Sequence, residues 1–389
     1  MRIPSLDMKA QLAPIRDEID LAIARVLDHG GFILGKEVQE FEQAVSAYTL
    51  SRHAIGVSNG TDAIALALQA LGVKQGDKVL CPTFTYFATA GAVASIGAIP
   101  VFIDIDPKTY CIAPGSVKEY LERLPKTENL KPKAIIPVHL YGQCAEMDSI
   151  MAIADEFDLN VIEDTAQAFG ATYKGKEAGL PASNKAGIIG DVSTVSFFPG
   201  KNLGACGDAG MVLTNKEELA SRIRCIRNQG ASSNDKYQHV LIGHNNRLDA
   251  IQAAILAVKL KYIDIWNTKR AENASYYNEQ FSDLGLTTPY VPDTNTHIYH
   301  QYMIRAKNNV SRDSIMNHLK EKGIDSRVFY PLPLHLQPCF DYLRYKKGDF
   351  PESERAAEEV FSLPVYPELT RKQMDYVIEG VKEGIVARN

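Results

Sequence analysis

Short apolar runs alternate with helical stretches from residue 54 to residue 214, and this alternation constrains the fold more than any other feature. Ala54-Ile-Gly-Val, Lys78-Val-Leu-Cys, Ile99-Pro-Val-Phe-Ile, Ala134-Ile-Ile-Pro-Val, Asn160-Val-Ile-Glu-Asp, Val192 to Phe198 and Gly210-Met-Val-Leu-Thr read as strands. Helices are expected from Thr61, through Ser95 and over 147–157. Strands that are apolar along their whole length and separated by helices imply an α/β fold with a mainly parallel sheet covered on both faces. Ligands of such sheets bind at the carboxyl ends of the strands. Ser58, Thr85, Tyr86, Asp164, Gln167 and Lys201 all lie at or just past such ends.

Outside this region the pattern changes. Helical periodicity covers residues 11–27 and 36–49, broken at His29-Gly-Gly, and a basic helix begins near Ser221. Ala231 to Gly243 is polar and reads as a loop, and a single long helix is expected over Asp249 to Tyr277. Beyond Thr287, strands at 301–305 and 324–329 accompany helices at 311–322, 352–361 and 370–386. Ser311 is the N-cap and Gly323 the C′ residue of the first of these. A chain of 389 residues exceeds one small core. The expected division is a large domain over residues 1–277 and a smaller α+β domain over 278–389.

A net charge of -5 gives no polybasic footprint for nucleic acid. An anionic ligand therefore has to be held by local donors. The six cysteines have no CxxC spacing, so no metal site is expected and a reducing cytoplasm is the default compartment. No stretch reads as a signal core or a membrane span.

The chemistry gathers at the strand ends. At Ser58-Asn-Gly-Thr-Asp a strand ends and a helix opens. Free N–H groups and the positive end of the helix dipole make such a turn a phosphate seat, although an ordinary N-cap has the same residues. One carboxylate of the Glu163-Asp164 pair should face inward, where it needs a cationic partner or strong donors. Lys201 follows Pro199-Gly200 at the end of a buried strand. A lysine in a turn is usually trivial, but one that loses solvation there drops its pKa and becomes an amine nucleophile. Phosphate turn, aromatic Tyr86, strand-end acid and strand-end lysine together match one cofactor, pyridoxal 5′-phosphate. It has a phosphate, a flat ring, a ring nitrogen that works best protonated and an aldehyde that condenses with lysine. No strand is followed by GxGxxG, and Asn202 stands where a P-loop needs Ser or Thr, so dinucleotide and P-loop readings fall away.

The ordered motifs Ser58-Asn-Gly-Thr-Asp-Ala, Pro82-Thr-Phe-Thr-Tyr-Phe-Ala, Glu163-Asp-Thr-Ala-Gln-Ala, Ser196-Phe-Phe-Pro-Gly-Lys-Asn-Leu and Gly243-His-Asn-Asn-Arg-Leu resemble the DegT/DnrJ/EryC1/StrS sugar aminotransferases. That family is a branch of the aspartate-aminotransferase fold (fold type I of the pyridoxal-phosphate enzymes). The resemblance runs from Gly35 to about residue 370. It implies Lys201 as the lysine that joins the cofactor and moves protons, and Asp164 as the partner of the ring nitrogen. Tyr86 would stack on the ring and Gln167 would reach its hydroxyl. Gly60, Thr61 and Ser196 would hold the phosphate, together with Asn245 from a partner subunit, which implies a homodimer with shared active sites. Arg247, near the neighbouring subunit's substrate, Tyr330 and His335 are the candidate substrate contacts; for His335 a structural role in its proline-rich loop is an equal reading.

The implied reaction moves the amino group of L-glutamate to C3 of a nucleotide-linked 3-keto sugar used for bacterial surface polysaccharide such as O-antigen. A UDP-2-acetamido-3-keto-glucuronic acid is favoured on resemblance. A dTDP-3-keto-6-deoxyhexose, a C4-keto sugar or a ligand-sensing relative without catalysis are the alternatives. Relatives with His at the lysine position catalyse dehydration; here Lys201 is present. The chain departs from the family in reading Gly207-Asp-Ala-Gly where many members read Gly-Glu-Gly-Gly.

Overall fold

The structure is a computed structural model that describes all residues except 126–130, 174–183, 186–188, 233–234, 236, 307–310 and 387–389; of residues 184–185 only the backbone is described. The expected loop over 231–243 therefore falls partly outside the described residues.

A seven-stranded sheet forms the centre. In chain order its strands are β1 (His53–Val57), β2 (Lys78–Pro82), β3 (Ile99–Ile103), β4 (Ala134–Ile135), β5 (Asn160–Asp164), β6 (Val192–Ser196) and β7 (Gly210–Thr214). Their spatial order is β1-β7-β6-β5-β4-β2-β3. β7 runs antiparallel to both of its neighbours, and the other pairs are parallel. The expected mainly parallel α/β sheet is what the chain forms. Four of the five residues of β2, β3 and β5 are buried, as are all five of β7, because helices cover both faces. Full burial of side chains such as Phe84, Phe102 and Phe197 stabilises this layer by roughly 1.5–3 kcal/mol each.

The N-terminal helical region is interrupted at Ala13–Ile15, where Pro14 opens a 3₁₀ turn before the helix Arg16–His29. Ile15, Ile19 and Val26 pack in one cluster with Phe41, Val45 and the helix Ala250–Leu260.

The expected long helix over 249–277 is two helices, Ala250–Leu260 and Ile263–Phe281. The chain tightens between them: Lys261 and Tyr262 donate to the carbonyls of Val258 and Lys259, three residues back. Tyr262 is pinned there by its bond to Glu18 and its stacking on Trp266. The break carries the second helix away from the central sheet, and its buried Tyr277 and Phe281 pack with the C-terminal part of the chain.

That part is a three-stranded antiparallel sheet, β8 (Leu286–Thr287), β9 (Tyr302–Ala306) and β10 (Val360–Leu363). It is covered by helices Arg312–Glu321 and Arg371–Val386, which share its cluster. Ser311 caps the first by accepting from the Ser314 N–H, and Gly323 takes φ +74° after its end. Two expectations fail here. Residues 324–329 form only isolated bridges, Ile324 with Ile3 and Arg327 with Ser362 on the outer edge of β10, and make no continuous ladder. β10 itself begins inside the expected helix over 352–361; that helix stops at Glu359, and Val360 pairs with Arg305.

Candidate active site

A cavity of about 870 Å³ opens over the carboxyl ends of β5 and β6. Lys201 lies in its wall just past β6, its backbone N–H closing a turn onto the Phe198 carbonyl at 2.8 Å. The loop then folds back so that the Ala205 N–H reaches the Phe197 carbonyl, also at 2.8 Å. Gly204 permits this: a Cβ there would stand 2.2 Å from the Pro199 carbonyl oxygen. Burial pushes the Lys201 amine down to about 8, and the nearby Asp164 charge opposes that shift.

Asp164 ends β5 and pairs in register with Thr194 on β6, which sets it beside the lysine's strand. Its Oδ2 accepts from the Thr89 hydroxyl at 2.9 Å and its Oδ1 from the Ala166 N–H at 3.2 Å. Strand alternation sends Glu163 to the other face. There it accepts from the N–H groups of Ile189 and Gly190 at 2.7 Å and pairs with His139 Nε2 at 2.9 Å. Asp164 is thus the acid of this pair that faces the cavity.

The turn expected to seat a phosphate is the start of helix Gly60–Ala70. Asn59 caps it by accepting from the Asp62 N–H through its side chain and from the Ala63 N–H through its carbonyl. The cap uses neither the Gly60 nor the Thr61 N–H. Gly60 presses against Ser196; a Cβ on it would lie 2.6 Å from the Ser196 Cβ. Gly60, Thr61, Tyr86, Asp164, Gln167, Ser196, Lys201 and Tyr330 all line the cavity. Gln167 accepts from the Tyr141 N–H at 2.8 Å and donates to the Tyr330 hydroxyl at 2.9 Å, which ties Tyr330 to the cofactor side. Tyr86 is 58% exposed, its ring 6.0 Å from that of Tyr330. An amine of lowered pKa, a hydrogen-bonded carboxylate, an exposed ring face and a helix N-terminus with open N–H groups fit pyridoxal 5′-phosphate group by group.

Three expected residues lie elsewhere. His335 is 2% exposed, and its ring nitrogens are both engaged, Nδ1 with Thr83 Oγ1 at 2.8 Å and Nε2 with Glu354 at 3.0 Å. It anchors the proline-rich loop behind the wall. Asn245 bridges Asn228, and Arg247 donates to the Asn228 side chain at 3.3 Å; neither lines this chain's cavity.

Sequence reasoning missed other residues. Thr89, fully buried behind Asp164, is one, and strand and helix periodicity carries no signal for it. His300, on the cavity wall, is another. Asn202, next to Lys201, donates to Asn267 at 2.7 Å and to the Ile298 carbonyl, so its oxygen accepts from His300 Nδ1 at 3.2 Å. Burial, with the Lys201 and Arg270 charges, holds His300 well below the usual imidazole range. A neutral imidazole protonated on Nδ1 leaves Nε2 as an acceptor. Arg270, Gln301 and Arg327 complete the missed set.

The chain is 48% identical over 387 residues to a pleiotropic regulatory protein of Geobacillus stearothermophilus, covering 98% of each. It is 42% identical to a UDP-2-acetamido-2-deoxy-3-oxo-D-glucuronate aminotransferase of Pseudomonas aeruginosa, covering 94% of this chain and 96% of that one. It is 41% identical to a dTDP-3-amino-3,4,6-trideoxy-alpha-D-glucose transaminase of Streptomyces venezuelae, covering 98% and 96%. The solved structure of ntda from Bacillus subtilis with bound cofactor pmp superposes with a TM-score of 0.88 at 33% identity, covering 99% of this chain and 85% of that one. A family model matches residues 14–382, and on these grounds the chain belongs to the DegT/DnrJ/EryC1/StrS aminotransferase family.

Proposed function

We propose that this protein is a pyridoxal-phosphate-dependent transaminase that moves the amino group of L-glutamate to a nucleotide-linked 3-keto sugar. The observation that carries the reading is the Lys201 amine, lowered to about 8 by burial, in one cavity with Asp164 and the open helix N-terminus at Gly60-Thr61. When bound, the cofactor supplies an aldehyde for amines and a protonated ring that takes up the electrons of an adjacent carbanion. Lys201 accepts the proton from Cα of the donor and returns one to the sugar carbon, since an amine with a pKa near ambient pH serves as both base and acid. Asp164, fixed by Thr89 and Ala166, keeps the ring nitrogen protonated. Gly60, Thr61 and Ser196 hold the phosphate, Gln167 orients the ring hydroxyl, and Tyr330 faces the substrate.

A UDP-2-acetamido-3-keto-glucuronic acid is the acceptor we favour, and the P. aeruginosa relative supports it. The S. venezuelae relative supports a dTDP-linked acceptor at nearly equal identity. A homodimer is supported by apolar side chains left open, among them Phe198 (57%) on the cavity wall and Ile242 (93%) in the segment that leads to Asn245. The test is incubation with L-glutamate and a panel of nucleotide keto sugars. Release of 2-oxoglutarate with one of them is the expected result, and no release with any of them refutes the sugar-transaminase reading. A ligand-sensing role is favoured by one observation, the 48% identity to a regulatory protein. It gains ground if the wild-type protein develops no cofactor absorbance when pyridoxal 5′-phosphate is supplied.

A further inference from the structure

Lys259 is fully buried and takes no part in the chemistry described so far. Its Nζ donates to the Gly204 carbonyl and lies 5.8 Å from the centre of the Trp266 ring. Burial pushes the amine down to about 8, opposed by the nearby Cys206 thiol and, among the described residues, by no carboxylate. A buried amine without a counter-charge is costly. A methionine would fill the same space without that cost, so packing alone does not explain a lysine here.

The bond to Gly204 does. Gly204 follows Lys201 in the loop that returns from β6, and the Lys201 and Ala205 N–H groups close that loop onto the Phe198 and Phe197 carbonyls. Gly204 packs so closely on the Pro199 carbonyl that a displacement of Gly204 passes to the residues just before Lys201. The same helix, Ala250–Leu260, grips the loop a second time. Gln252 lies about two turns before Lys259 on the same face, and its Oε1 accepts from the Cys206 N–H at 2.9 Å. On the other side of Gly204, Asn202 is tied to Asn267 of the next helix at 2.7 Å. Lys259 does not line the cavity, and the groups that shift the Lys201 amine are its own burial and Asp164. The influence of Lys259 on that amine therefore passes through the backbone of the loop and not through its charge.

We propose that Lys259 is a positioning residue: by holding the Gly204 carbonyl it fixes the loop that keeps the Lys201 amine buried and aimed into the cavity. The inference rests on the transaminase reading above for the role of Lys201. It goes beyond that reading in tracing the geometry of the reactive amine to a second, buried lysine on a distant helix.

The test follows the rate at which the apoprotein develops absorbance with pyridoxal 5′-phosphate, measured across pH for wild type, K259M and Q252M, with a thermal melt for each. In K259M the rate near neutral pH should fall about ten- to a hundredfold. Its midpoint should move up from about 8 toward 10.5, because a loosened loop admits water to the Lys201 amine. Q252M releases the loop at its other grip and should move the midpoint in the same direction by less. In the reconstituted K259M protein the maximal rate with L-glutamate should fall, while the L-glutamate concentration for half-maximal conversion stays at the wild-type value. A K259M protein that melts earlier but keeps the wild-type rate and midpoint would make Lys259 a packing residue only and overturn the proposal. If K259M does not fold, Q252M carries the test, and a wild-type midpoint there overturns the proposal equally. A wild-type protein that develops no cofactor absorbance refutes the transaminase reading itself, before any variant is compared.

Discussion

The Thr89 hydroxyl donates a 2.9 Å hydrogen bond to Oδ2 of Asp164, across a separation of 75 residues in the chain. The carboxylate that should hold the ring-nitrogen proton is thereby fixed from a helix on one side while the Ala166 N–H fixes it from the loop after β5. Removing the hydroxyl frees the carboxylate to rotate. Thr89→Val should weaken cofactor binding about ten- to a hundredfold, in line with the roughly 1.5–3 kcal/mol of a hydrogen bond to a charged group, while Thr89→Ser should keep wild-type affinity. Fluorescence titration of the apoprotein with pyridoxal 5′-phosphate measures both.

The Lys201 amine gives the reaction with cofactor a defined pH dependence. Its pKa is lowered from 10.5 to about 8, so the neutral nucleophile accumulates as pH rises through about 8. The rate at which the apoprotein develops cofactor absorbance should climb with pH below that point and level off above it. The linked stability has a matching sign. Below about pH 8 the native apoprotein carries a buried charge that disfavours folding. Between about 8 and 10.5 the unfolded chain binds more protons than the native one, so this penalty is relieved as pH rises. Lys201→Met should remove both the rate profile and this component of the stability curve, read by denaturant melts across the same pH range.

Gly60 has no room for a side chain. Gly60→Ala puts a methyl 2.6 Å from the Ser196 Cβ, so the helix start or the end of β6 has to move. The phosphate seat should lose cofactor affinity, and overpacking should lower stability by about 1–3 kcal/mol. Adding Ser196→Gly should recover the stability but only part of the affinity, because Ser196 is proposed to hold the phosphate as well. A thermal melt beside a cofactor titration separates the two effects.

His335 should behave as an anchor, not as a substrate contact. His335→Ala leaves Thr83 and Glu354 without their partner and should destabilise the fold by about 1–3 kcal/mol for each buried group left unpaired. KM for the keto sugar in the surviving folded fraction should stay at the wild-type value. A sugar KM that rises without loss of stability would place His335 back at the substrate.

Shared active sites predict complementation. If Asn245 serves the cofactor of a partner, Lys201→Ala and Asn245→Ala proteins, each impaired alone, should regain activity when unfolded together and refolded. The mixed dimer then carries one site with an intact lysine and an intact asparagine. Activity that stays at the level of the two separate proteins would mean that each chain supplies its own site.

Much of the site was legible because its residues sit where local sequence and strand order agree. Lys201, Asp164 and Gly60-Thr61 follow strands whose apolar runs mark their ends, and a parallel sheet brings those ends to one edge. The helix Arg312–Glu321 was legible for a similar local reason, a serine cap at one end and a glycine after the other. β10 was not, because Val360–Leu363 continues a helical pattern and becomes a strand only by pairing with β9. The bend at Lys261-Tyr262 was hidden in the same way: both halves are helical, and the contact of Tyr262 with Glu18 that fixes the turn is not a local one.

The sequence by itself determined most of the order of strands and helices, the lysine at a strand end and the glycine at the turn that opens a helix. Each depends on the periodicity and steric demands of neighbouring residues. Tertiary structure alone decided that His335 turns away from the cavity. It also decided that Arg270, His300 and Arg327 meet there with Lys201 from distant segments. The direction of a side chain depends on how its backbone is bent and what it packs against, and those contacts come from parts of the chain that no local pattern connects.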